Sequence, residues 1–131
     1  MMKKWSVSWI RVEAACVFLT TLWAVGAAHG SWLWFFGLFL VPDLSMVGYC
    51  FGPRAGAVIY NVGHLFAWPA ALLVAGLSSH APLATTAALS WIGHIAFDHA
   101  AGYGLKLPDG FEHTALGPIG RAARRQPGSV S

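Results

Sequence analysis

Long apolar runs alternate with short polar breaks along this chain. Val12 to Ala28, Trp32 to Cys50, Ala55 to Leu77 and Leu83 to Ala101 are each nearly continuous in hydrophobic residues. Runs of roughly 17–25 residues match a hydrocarbon core about 30 Å thick. The breaks carry turn chemistry: His29-Gly30-Ser31, Phe51-Gly52-Pro53-Arg54 and Ser78-Ser79-His80-Ala81-Pro82. Gly102 and Gly104 offer a left-handed cap to the last run, and Pro108 stops its continuation. The pattern predicts an all-α, four-transmembrane-helix bundle over residues 1–106, with spans at about 12–28, 32–50, 55–77 and 83–101. A cytoplasmic basic tail, partly disordered, is expected over 107–131. Pro42 cannot donate to the carbonyl of Leu38, nor Pro69 to that of Leu65, so a kink is expected in the second and third spans.

Composition strengthens the membrane reading. Hydrophobic residues make up 56% of the chain and charged residues 10%, against about 25% charged in soluble domains. Too little polar surface is left to cover a globule in water. The basic residues are Lys3, Lys4, Arg11, Arg54, Lys106, Arg121, Arg124 and Arg125. Four spans put all of them on one side and leave none in the turns at 29–31 and 78–82. The positive-inside rule then places both termini in the cytoplasm of a multi-pass inner (plasma) membrane protein. A signal peptide cleaved near Ala27-Ala28-His29 is the competing reading. It would split these charges between sides or move the new terminus outside.

Trp5 and Trp9 suit an interfacial anchor. No basic patch interleaves with exposed aromatics, so no nucleic-acid partner is expected. Cys16 and Cys50, inside apolar runs, read as small buried hydrophobes and not as a disulfide. Besides the lipid bilayer, the expected partners of so thin a bundle are copies of itself or a larger membrane complex.

The chemistry sits in the runs. His94 and Asp98 are four apart and share one helix face. At about 1.5 Å per residue, Asp43 and His94 lie roughly 10 Å inside the cytoplasmic boundary, Asn61 roughly 9 Å, His64 roughly 13 Å and Asp98 roughly 5 Å. Ionisable groups in a membrane are costly and mark sites by default. Together with Tyr60 they predict a polar pocket in the inner half of the bundle: Asp43, Tyr60, Asn61, His64, His94 and Asp98. Two imidazoles and two carboxylates (His64, His94, Asp98 and Asp43) are a donor set for a divalent metal.

Four readings stay open on the residues alone, the last of them a proton or small-solute path through the same polar groups. In the first, the chain is a metal-assisted, membrane-embedded enzyme acting on a lipid or amphiphile, with His94 and Asp98 as the catalytic pair. In the second, it is a non-catalytic membrane subunit or binding module whose polar residues hold helices together. The third is a haem held by His64 and His94. Outside the pocket, Glu13 suggests a boundary ion pair with Arg11 and the amino-terminal lysines or a helix-start charge, and His99 an interfacial or snorkelling residue on another face. His29 and His80 fall in solvent-facing turns, and Asp109, Glu112 and His113 make a small polar knot in the tail.

The stretches PDLSMVGYCFGPRAGAVIYNVGHLFAWP (Pro42–Pro69) and HIAFDHAAGYGLKLPDGFEHTALGPIG (His94–Gly120) resemble the DUF4260 family of small bacterial membrane proteins. The resemblance covers roughly residues 30–120 and is carried by the runs PDLSMVGY, YNVGH and GYGLK. It implies a fold of membrane helices and no particular activity. It passes through Asp43, Asn61, His64, His94 and Asp98. This chain has His99 where the family pattern tends to place arginine after the aspartate, and its tail His113 precedes Thr114.

Overall fold

The computed structural model describes residues 4–103, 113–114 and 117–119. Helix α1 spans Lys4–Ala27, so the basic amino-terminal stretch is helical from Lys4 onwards. Trp5 and Trp9 meet edge to face within it. Helix α2 is Trp32–Leu38, with the Ser31 hydroxyl accepting the Trp34 N–H as its amino-terminal cap. A 3₁₀ helix follows over Val41–Phe51. Then come α3 (Pro53–Gly63), α4 (Ala67–Ser78) and α5 (Pro82–Ala100). Apart from a two-residue strand pair, His113–Thr114 against Gly117–Pro118, the described chain is all-helical. The side-chain knot expected of Asp109, Glu112 and His113, and the disorder expected of the tail, fall outside the described residues.

Three helical segments, Lys4–Ala27, Trp32–Phe51 and Pro53–Ser78, are long and apolar enough to cross a membrane. The large apolar side chains point outward, with Leu33 82%, Phe51 77%, Trp5 72% and Trp23 71% exposed. A water-soluble surface does not present such patches. The last described helix, α5, is different. Thr86, Ala88, Leu89, Ser90, Gly93, His94, Ile95 and Ala96 are all buried along it, because it packs against α1, α2 and α4 together. A helix enclosed by helices can carry polar residues where a lipid-facing one cannot. Val25, Phe35 and Leu89 form the apolar core around it. Cys16 and Cys50 are free, and both are exposed, not buried as expected.

The second and third spans are broken and not merely kinked. Pro42 lacks the N–H that would continue α2, and the chain re-forms as 3₁₀, with the Asp43 N–H donating to the Leu40 carbonyl at 3.1 Å. Eleven residues of 3₁₀ is unusually long. Side chains three apart eclipse in this helix, so Pro42, Ser45 and Gly48 line one stripe, and that stripe lies on α3. A Cβ on Gly48 would come within 2.8 Å of Ile59, and one on Gly56 of α3 would run into the Tyr49 ring. Small residues on both sides thus bring the two backbones together. Gly56→Leu is expected to cost about 1–3 kcal/mol and to lower the detergent-solubilised melting temperature. Gly37→Leu, at a position with nothing within 4 Å of a Cβ, is expected to leave that temperature unchanged.

The third span opens one turn before Pro69. His64 closes α3 through its N–H to the Asn61 carbonyl, and α4 restarts with the Ala70 N–H on the Phe66 carbonyl. The carbonyl of Gly63, freed by this break, accepts the Trp91 indole N–H at 2.7 Å. At the far end of α5, Gly102 takes the expected left-handed turn at φ +95°. There the Arg11 guanidinium donates to the Ala100 carbonyl at 2.9 Å, a cation on the negative end of the helix dipole. Arg11 therefore ties the start of α1 to the end of α5. Glu13, its expected ion partner, is exposed and makes no ion pair among the described residues.

Candidate metal centre

Each break in the chain delivers one polar side chain to the same place. Asp43 lies in the first turn of the 3₁₀ helix, directly after the break that Pro42 enforces. His64 is the carboxy-terminal cap of α3 (φ −112°, ψ 17°), directly before the break associated with Pro69. Non-helical backbone within a membrane is tolerated where it is enclosed by protein, and broken helices commonly surround sites. His94 and Asp98 complete the group from α5, one turn apart.

The four side chains converge tightly. One donor atom from each of Asp43, His64, His94 and Asp98 lies within 4.8 Å of all the others. His94 Nε2 is 3.1 Å from Asp43 Oδ1 and 3.2 Å from Asp98 Oδ2. His64 Nε2 is 3.6 Å and 3.4 Å from the same two oxygens. The two Nε2 atoms are 3.2 Å apart. Both histidine side chains are 2% exposed, Asp98 is 14% and Asp43 is 37%. The cluster is therefore closed on the histidine side and opens past Asp43.

The hydrogen bonds distinguish the two rings. His64 Nδ1 lies 2.9 Å from the Tyr60 carbonyl. A carbonyl only accepts, so Nδ1 carries a hydrogen and a neutral ring presents a bare lone pair at Nε2. That lone pair faces two carboxylates. His94 is the reverse case. Its Nε2 has acceptors at hydrogen-bond distance, while its buried Nδ1 has no hydrogen-bond partner among the described residues. The hydrogen of a neutral His94 therefore belongs on Nε2, between Asp43, Asp98 and His64. Positive charge for the two neighbouring carboxylates would come from a protonated imidazole or from a cation held in the gap the four residues enclose.

The surrounding shell orients the cluster. The Tyr60 ring is buried and stacks on His64 at 3.8 Å and 12°, and its hydroxyl hydrogen-bonds the Asp98 carboxylate. Ser45 donates to the Pro42 carbonyl at 2.7 Å and lies 3.5 Å from His64 Nδ1. Phe39 meets the His94 ring edge to face. Metal-binding histidines and carboxylates are held by outer partners of this kind.

Asn61, the remaining residue expected in the pocket, is half-buried on α3 and supplies the carbonyl that caps His64. His99 lies apart from the cluster, half-buried against Phe66. Ser45, Trp91 and Phe39 were not foreseeable from spacing, because their roles arise only from the breaks. The haem reading does not suit this geometry. Two axial nitrogens on opposite faces of a macrocycle need roughly 4 Å, two metal–nitrogen bonds, and a clear plane between them. Here they are 3.2 Å apart with carboxylates alongside.

A family model described as a domain of unknown function (DUF4260) matches residues 7–119. No curated protein and no solved structure matches the chain.

Proposed function

The chain belongs to the DUF4260 family, and we propose that it is a small multi-pass protein of a bacterial inner membrane that holds a divalent metal ion among Asp43, His64, His94 and Asp98. With that metal it acts on a lipid or other amphiphile. The observation that carries this reading is the spacing of the donor atoms. Tetrahedral ligands about 2.1 Å from a metal lie about 3.4 Å from one another. Five of the six donor pairs here are separated by 3.1 to 3.6 Å. Mixed imidazole and carboxylate donors suit zinc, iron or manganese. Such a metal supplies Lewis acidity and activation of water for hydrolysis.

The chain's own residues supply the rest. His64 and Asp98 are pre-oriented by Tyr60, and the half-exposed side of Asp43 is the approach. A cavity of about 290 Å³ is lined by Leu38, Val41, Pro42, Leu72, Ala87 and Trp91, together with Ser45 and Gly63; none of the four donors lines it, and its link to the cluster is Ser45, 3.5 Å from His64 Nδ1. An alkyl chain suits such walls, which supports an amphiphile as substrate. The orientation follows from charge. Arg11 and the end of α5 lie together at one end of the bundle, and the turns at 29–31 and 78–82 carry no lysine or arginine. Both termini are then cytoplasmic.

Elemental analysis of the detergent-purified protein tests the reading. The expected result is about one metal ion per chain. A folded protein that takes up none after incubation with zinc, manganese or ferrous iron would sink it. The cluster would then be a hydrogen-bonded helix tie, with His94 Nε2–H serving both carboxylates.

A further inference from the structure

We propose that the four donors are not equivalent, and that His94 is the exchangeable one, its corner being the position where an incoming oxygen ligand binds. The inference rests on the metal reading above and deepens it. A four-donor site with every corner fixed by protein is a structural site, whereas a catalytic one keeps a corner open. The hydrogen bonds show which corner is least secured.

Three donors are ready as they stand. His64 keeps its Nδ1 hydrogen on the Tyr60 carbonyl and presents Nε2 as a lone pair. Asp98 is steadied by the Tyr60 hydroxyl, and Asp43 lies in the first turn of a helix packed closely on α3. His94 is not ready. To ligate through Nε2, its hydrogen must move to Nδ1, which is buried with no acceptor among the described residues. The ring beside it is Phe39, which offers none. An N–H buried without a partner weakens an equilibrium by roughly ten- to a hundredfold. His64 carries no such cost. Were a metal held here, its bond to His94 would be the least secured. Were that bond to open, the hydrogen would return from Nδ1 to Nε2, which could then donate to an oxygen in its place. An oxygen-rich head group, phosphate or carboxylate, is the chemical class this corner would take, with Asp43 on the open side of the cluster.

The test compares metal affinity across variants of the full-length protein in detergent, with inorganic phosphate as the probe ligand. His94→Ala and His94→Gln are expected to keep one metal per chain, with affinity reduced no more than about tenfold. His64→Ala is expected to lose it. In the cobalt-loaded wild type, phosphate should change the visible ligand-field spectrum, and in His94→Gln it should do so at lower concentration. If both His94 variants fold yet lose metal as completely as His64→Ala, His94 is a fixed ligand and this inference fails while the metal reading stands. An unchanged cobalt spectrum at saturating phosphate also overturns it. A wild type that binds no metal overturns both. Because His94→Ala leaves a buried gap, the Gln variant serves as the second measurement if the Ala variant does not fold.

Discussion

Replacing His64 with alanine is expected to abolish metal binding, with affinity falling by more than about a hundredfold. Changes to outer-shell partners alone typically cost 10–100-fold, and His64 stands closer to the centre than any of those. Its lone pair is already directed by the Tyr60 carbonyl, and its side chain is 2% exposed. The measurement is metal per chain after dialysis, followed by competition with a chromophoric chelator. His99→Ala is the control, because that ring packs on Phe66 outside the cluster and its loss should leave binding intact. Stoichiometric metal retained by a folded His64→Ala variant would contradict the site.

Stripping the metal is expected to lower the melting temperature substantially. A ligand present at a hundred times its dissociation constant stabilises the folded state by about 2.7 kcal/mol. For a chain of this size that corresponds to a shift on the order of 10 °C. The bare cluster also keeps two carboxylates within 4.8 Å of each other. At that separation their repulsion is at least about 3 kcal/mol at an effective dielectric of 20. Chelator should therefore destabilise the wild type, and added metal should restore it. The double variant Asp43→Asn, Asp98→Asn should melt at the same temperature with or without chelator. A loaded wild type whose melting ignores the chelator would mean that the metal contributes nothing to holding the 3₁₀ helix, α3 and α5 together.

Much of this site is legible before any coordinates are known. Ionisable residues in oil are too costly to scatter, so depth alone picks out Asp43, His64, His94 and Asp98, and the i, i+4 spacing fixes the α5 pair on one face. What depth cannot show is how the chain breaks. Pro42 and Pro69 are visible as interruptions, but whether a helix bends or stops depends on what waits for the freed carbonyls. Here the Trp91 indole takes the Gly63 carbonyl that the break before Pro69 frees, and the Ser45 hydroxyl donates to the Pro42 carbonyl inside the 3₁₀ helix. The long 3₁₀ winding depends on Gly48 and Gly56 meeting Ile59 and Tyr49 across two elements, a contact no local pattern contains. Cys16 and Cys50 were expected inside for a related reason. In a membrane run both faces are apolar, so hydrophobicity no longer separates the core from the lipid. The same loss of contrast hides the central place of α5, whose lower apolarity reflects enclosure by its neighbours.

The order in which the ligands leave the ribosome has a consequence for biogenesis. When synthesis has reached Ser78, Asp43 and His64 are already made, but His94 and Asp98 are not. The nascent protein thus holds half of the four-residue cluster and lacks the helix that completes it. On the proposed metal reading, metal could be acquired only after α5 is in place, when Arg11 meets the Ala100 carbonyl and ties the first and last described helices together. A chain truncated before Pro82 would leave an acidic residue and an imidazole facing lipid without partners, a feature by which membrane quality control could recognise it as unfinished.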